Sequence, residues 1–224
     1  MKHVFAGGSR KVTRLNAEIR ERLGNMIEKQ LAVFVGDANG ADKAIQTYLS
    51  ERRYPNVLVF CTGGECRNNL GGWPVRAVKA PHSSRDFAFF TAKDAAMASE
   101  AEVGFMLWDG QSSGTMVNVA RMVSSAKPVV LYISPQRTFT TLKSRQDLEN
   151  LIQGVRDDVA QKVRRYIAEH AREFRVASTP DSASVTPPET SGAWEELFRL
   201  GDALDASDTP GTDTLTATVL AMRR

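Results

Sequence analysis

The residue types best suited to chemistry in this chain gather in three short turns. Gly7-Gly8-Ser9-Arg10, Gly36-Asp37-Ala38-Asn39-Gly40-Ala41-Asp42 and Trp108-Asp109-Gly110-Gln111-Ser112-Ser113-Gly114-Thr115 each mix glycine with hydroxyl or charged side chains. Glycine lets the backbone turn tightly and approach a ligand closely, so that several N–H groups point at one place. Ser112, Ser113 and Thr115 add hydroxyl donors and candidate helix caps. The pattern predicts a phosphate or another anion held at the start of a helix. Asp109 is a candidate to hold a ribose hydroxyl, to act as a base, or simply to cap its turn. Asp86, next to Arg85, is either a second acid/base candidate or half of an ion pair on an exposed helix start.

Turns of this kind work only where strands and helices hold them at one rim, and the first 134 residues alternate accordingly. Strands are predicted at Val4 to Ala6, Ala32 to Val35, Val57 to Phe60, Val103 to Leu107 and Pro128 to Ile133. Between them, apolar residues recur at helical spacing over Arg14 to Gln30, Ala41 to Arg52, Phe87 to Ala101 and Met116 to Ala126. Residues 63 to 83 read as a long loop, in which Trp73 either stacks on a base as a lid or covers the edge of the core. Continuous apolar strands separated by helices imply a parallel sheet covered on both faces. The expected fold class is α/β: a Rossmann-like, doubly wound, parallel five-stranded sheet in the order 3-2-1-4-5, with ligands at the strand C-termini. All three turns fall at such strand ends.

Beyond residue 134 the pattern changes. Residues 135–176 are expected to be a helical extension, with one long helix from Arg145 to Phe174 that packs on its own domain or pairs with a second copy in a homo-oligomer. Residues 177–192, rich in Ser, Thr and Pro, read as a linker, and 193–224 as a short helical tail.

The composition, 42% hydrophobic and 25% charged, is that of a globular protein, and no apolar run approaches the roughly 20 residues of a membrane span. Two cysteines and three scattered histidines make neither a disulfide framework nor a metal cluster. The chain is therefore expected to be cytoplasmic, with no metal, no cofactor and no membrane partner. Its net charge of +3 is unevenly spread: residues 176–224 carry eight acids against three arginines, which leaves the remainder strongly basic. A basic body suits an anionic ligand, a nucleotide or a nucleic acid backbone.

The set Gly-Ser-Arg after the first strand, Gly-Asp-Ala-x-Gly-Ala-Asp after the second, Arg85-Asp86 and Lys93-Asp94 around the following helix, and Trp-Asp-Gly-x-Ser-x-Gly-Thr resembles the SLOG superfamily, most closely its YspA-like branch. That superfamily also contains the Lonely Guy phosphoribohydrolases and the DprA DNA-processing proteins. The resemblance spans about residues 1 to 134 and implies a Rossmann-like fold with a nucleotide-derived small-molecule ligand. It carries over to Gly8, Ser9 and Arg10 as the first phosphate-contacting turn, to Gly36, Asp37, Gly40 and Asp42 as the second, and to Gly114 and Thr115 as the cradle of the third, where Gly110, Ser112 and Ser113 also lie. Arg85 and Lys93 loosely match the Arg and Lys that the hydrolases carry on the preceding helix. Those hydrolases place a catalytic Glu three residues after the Thr, where this chain has Asn118. An amide is no general base, so the departure favours binding over hydrolysis.

The tail, with Trp194, Phe198 and Leu220 as sparse anchors, is similar to the C-terminal ends of some bacterial antitoxins. Residues 190–224 are thus expected either to engage a protein partner or to dock on the basic body. The leading expectation is a nucleotide-binding module, a sensor or carrier for a nucleotide or an ADP-ribose-like ligand. The alternatives are an N-glycosidic or phosphoribosyl hydrolase using Asp86 or Asp109, and a DprA-like nucleic-acid-binding protein.

Overall fold

Alternation of β-branched and aromatic runs with amphipathic helices produces a single seven-stranded sheet with helices on both faces. The computed structural model describes residues 2–63, 65–79 and 87–169. In chain order the elements are β1 (His3–Gly8), α1 (Ala17–Glu28), β2 (Ala32–Gly36), α2 (Ala41–Glu51), β3 (Val57–Thr62), β4 (Val75–Val78), α3 (Phe87–Glu100), β5 (Val103–Trp108), α4 (Ser113–Ser124), β6 (Val129–Ile133), β7 (Thr138–Leu142), α5 (Arg145–Gln153) and α6 (Asp157–Glu169). The sheet runs β4-β3-β2-β1-β5-β6-β7, parallel throughout except for the final antiparallel β6–β7 pair. Its five central strands have the order expected from the sequence.

Successive residues of each central strand face opposite layers. Val4 and Ala6 of β1 pack with Ile19, Leu23 and Met26 of α1 and Ile45 and Leu49 of α2. Phe5, between them, joins the opposite cluster with Met97 of α3, Met116 and Ala120 of α4, and Leu151 and Val163 from α5 and α6. Both layers are buried, which is why the central strands are apolar along their whole length rather than at alternate positions.

Two strands and one break depart from the sequence reading. β4 lies inside the stretch read as a long loop. It is a four-residue edge strand, exposed along most of its length, and so lacks the apolar signature of its neighbours. β7 adds an antiparallel edge after a tight turn in which Arg137 has φ 52°. The predicted single helix from Arg145 is two. Ser144 and Asp147 form a reciprocal cap that starts α5, and Gly154 ends it. Asp157 and Asp158 then open α6, where acidic side chains suit a helix N-terminus. Both helices bury apolar residues on the sheet's own core, as the packing alternative required. The tail from residue 170 onward, with the linker and its proposed anchors, lies outside the described residues.

Candidate functional site

The sheet order reverses between β2 and β5, on either side of β1, and a crevice at the C-terminal ends of these strands is the general ligand position of such sheets. A cavity of about 520 Å³ occupies that place. Gly8 and Arg10 line it from the turn after β1, Ala38 and Asp42 from β2–α2, and Gln111 to Thr115 with Asn118 from β5–α4. Phe90, Thr91, Lys93 and Asp94 project from α3, and Arg67 enters from the β3–β4 segment.

The three turns are built against one another. A Cβ on Gly8 would strike the Leu107 carbonyl of β5, and one on Gly40, at φ +87°, would strike the backbone of Arg10. Ser9 N–H donates to the Leu107 carbonyl (2.8 Å), and the Ser9 carbonyl accepts from Ala41 N–H (3.1 Å). The first turn is thus clamped between the other two, and glycine is required at both contacts.

The second turn is filled by its own carboxylates. Asp37 is buried and accepts two hydrogen bonds from the Arg67 guanidinium, at 3.0 and 2.7 Å, and one from the Arg67 backbone N–H. Burial alone would raise this carboxyl, but the Arg67 bonds outweigh it and hold Asp37 below the usual carboxylate range. Asp42, in the first turn of α2, accepts from Ala38 N–H and lies 3.6 Å from Lys93 Nζ. Burial dominates here and pushes its carboxyl up to about 6, against the pull of Lys93. Lys93 itself is buried. Burial would lower its ammonium, but Asp94 at 2.7 Å and Asp42 together raise it above the ordinary lysine value, so it stays a cation. Gly36 has no side chain because Asp42 Oδ2 and Lys93 Nζ occupy that space.

The third turn differs. Ser112 is the N-cap of α4 and its hydroxyl accepts from Thr115 N–H, while no acid stands in the first turn. The amides of Ser113 and Gly114 precede the first intrahelical bonds, and both residues line the cavity. Asp109 is committed to its own turn: Oδ1 accepts from the N–H groups of Gln111 (3.1 Å) and Ser112 (2.7 Å). It lines a neighbouring hollow rather than the main cavity. Gly110, at φ +77°, makes the same turn. Asn118 donates to Asp94 Oδ2 (3.1 Å) and accepts from Arg121 (2.8 Å), which also donates to the Tyr166 hydroxyl of α6 (2.6 Å).

Of the residues singled out from sequence, Gly8, Arg10, Asp42, Lys93, Ser112, Ser113, Gly114, Thr115 and Asn118 meet in the cavity wall. Ser9, Gly36, Asp37 and Gly40 support it from behind, and Arg85 and Asp86 lie outside the described residues. Sequence reasoning missed Phe90, Thr91 and Arg67 and gave Asp94 no role. Thr91, Lys93 and Asp94 interrupt an otherwise apolar stretch of α3, and that interruption was the available signal. Arg67 had none: Asn68 and Gln46 tie its loop to the second turn through bonds to the Asp37, Gly36 and Asn68 carbonyls. Trp73 is structural, its indole N–H donating to the Tyr54 carbonyl (2.7 Å) in the core. Cys61 and Cys66 are free thiols, and burial together with Cys61 pushes the Cys66 thiol up to about 12.

Among the described residues no group of three or more His, Cys, Asp or Glu is placed to hold a metal ion, and no helix is long and apolar enough to cross a membrane. Comparison with protein-family models, curated proteins and solved structures finds no match for the chain.

Proposed function

We propose that the chain is a cytoplasmic nucleotide-binding module of the SLOG superfamily, in its YspA-like branch, acting as a sensor or carrier for a nucleotide or ADP-ribose-like ligand. One observation carries the reading: α4 starts on the cavity with no acid in its first turn, and Arg10 lines the same cavity. The phosphate sits against the Ser113 and Gly114 amides and the Arg10 guanidinium, where charge-assisted bonds are strongest. The nucleoside extends past Phe90 and Thr91 toward Lys93. Native mass spectrometry of the protein as purified from cells identifies a retained nucleotide directly. In calorimetry, Arg10→Ala weakens nucleotide binding about tenfold or more. Equal affinity for wild type and variant removes Arg10 from the site.

A second reading, hydrolysis at the glycosidic bond, draws on a different observation. Asp42 and Asp94 share the cavity, and Asp42 titrates at about 6, the range of an acid/base group at neutral pH. These two carboxylates replace Asp109, which its own turn engages, as candidates. A chromatographic assay for released base separates the readings. Turnover abolished by Asp42→Asn while nucleotide binding survives makes the chain an enzyme; binding without turnover leaves it a sensor or carrier.

A further inference from the structure

A second hollow of about 300 Å³ opens on the far side of the first turn. Arg10, Gln111 and Ser112 line both it and the main cavity, so the two adjoin across that rim. Its other walls are Lys11 and, from the α6 side, Arg156 and Lys162, with Asp109 and Asp158 as the carboxylates.

The charges in this hollow do not balance. Asp109 is taken up by two backbone N–H groups of its own turn. Asp158 is shared between Arg156, at 3.1 Å, and Lys162, at 4.0 Å. That leaves Arg10 and Lys11 with no carboxylate within ion-pair distance among the described residues. The Lys11 ammonium donates only to the neutral Gln111 Oε1 (2.9 Å). With Arg10 serving the first phosphate, Lys11 remains as a further uncompensated cation beside an anion-binding helix start, which raises the local potential for negative charge beyond what a single phosphate needs.

We infer that the ligand carries two linked phosphoryl groups, as in a nucleoside diphosphate or an ester of one. The inference rests on the reading that a nucleotide phosphate occupies the start of α4. The first phosphoryl group sits at Ser113 and Gly114. The second lies one bridging oxygen away, over Lys11, with Arg10 bridging the two groups, and faces Lys162 across the hollow. α6 then has a role that the first 134 residues cannot supply: it closes the end of the site where the second phosphate lies.

Calorimetry on the full chain, in buffer without divalent cations, tests this with AMP and ADP, and with GMP and GDP in parallel. The wild type binds the diphosphate about tenfold more tightly than the monophosphate. Lys11→Ala, a change at an exposed side chain, brings the diphosphate down to the monophosphate's affinity and leaves the monophosphate unchanged. Lys162→Ala gives a smaller loss, again confined to the diphosphate. Equal binding of mono- and diphosphate by the wild type, unaffected by Lys11→Ala, overturns the inference and leaves the proposed function standing. Failure of all four nucleotides to bind removes the proposed function and this inference together.

Discussion

Two helix N-termini line one cavity and have opposite electrostatic histories. α2 starts at a glycine with no side-chain cap and brings its own anion, Asp42, into its first turn. α4 starts at a serine cap and brings none. Each helix start carries a partial positive charge that favours an anion nearby. At α2 that preference is met internally, and Lys93 and Arg67 then neutralise the buried carboxylates. At α4 it is left for something else to meet. Similar Gly-rich turns therefore divide the work: one is an ionic brace that is already filled and forms part of the cavity wall, the other an open seat.

The brace should be the more fragile of the two. Lys93 is the shared partner of Asp42 and Asp94, and Lys93→Met leaves the buried Asp42 and the half-buried Asp94 without their common cation. Breaking one side of a buried ionic cluster costs on the order of 3–5 kcal/mol. Urea unfolding of Lys93→Met measures it, and a loss below about 1 kcal/mol, the value of a surface pair, would mean the cluster is not a brace at all.

Asp42 gives the brace a pH signature. Its folded carboxyl, at about 6, still holds a proton where the unfolded chain has released one, above roughly pH 4. The protonated form thus stabilises the fold fully at low pH, and that contribution is lost as pH rises through 6. A shift of about two units corresponds to roughly 3 kcal/mol. Wild type should lose stability relative to Asp42→Asn between about pH 4 and 6.5, with the two curves parallel above. Curves parallel over the whole range would mean that Asp42 keeps an ordinary carboxylate titration.

The sequence reveals the two starts unequally. Ser-Ser-Gly-Thr after an apolar strand reads directly as a cap and an anion seat, because capping and backbone geometry are local. The five central strands are legible for the same kind of reason: burial on both faces makes each an apolar run. The second turn reads as a phosphate site, yet its filling is tertiary. Arg67 reaches Asp37 across 30 positions, and Lys93 reaches Asp42 across 51. No spacing rule connects them. β4 escaped because an exposed edge strand lacks an apolar pattern, and the break at Gly154 because the apolar period of α5 continues in α6.

The smallest change in stability gives the sharpest test of the comparison. Ser113→Asp places an acid in the first turn of α4, as Asp42 stands in the first turn of α2. If α4 is an unmet helix start, the new carboxylate interacts favourably with it and raises stability by about 0.3–1 kcal/mol, measured by urea unfolding. The same charge occupies the seat proposed for the phosphate, so AMP binding should fall by about tenfold or more in calorimetry. The two effects have opposite signs, and general damage to the fold cannot produce that combination. A variant of unchanged or higher stability that binds AMP as tightly as wild type would show that the phosphate does not sit at α4. A variant that loses stability would show instead that the start of α4 is already satisfied, and the contrast with α2 would fail at its root.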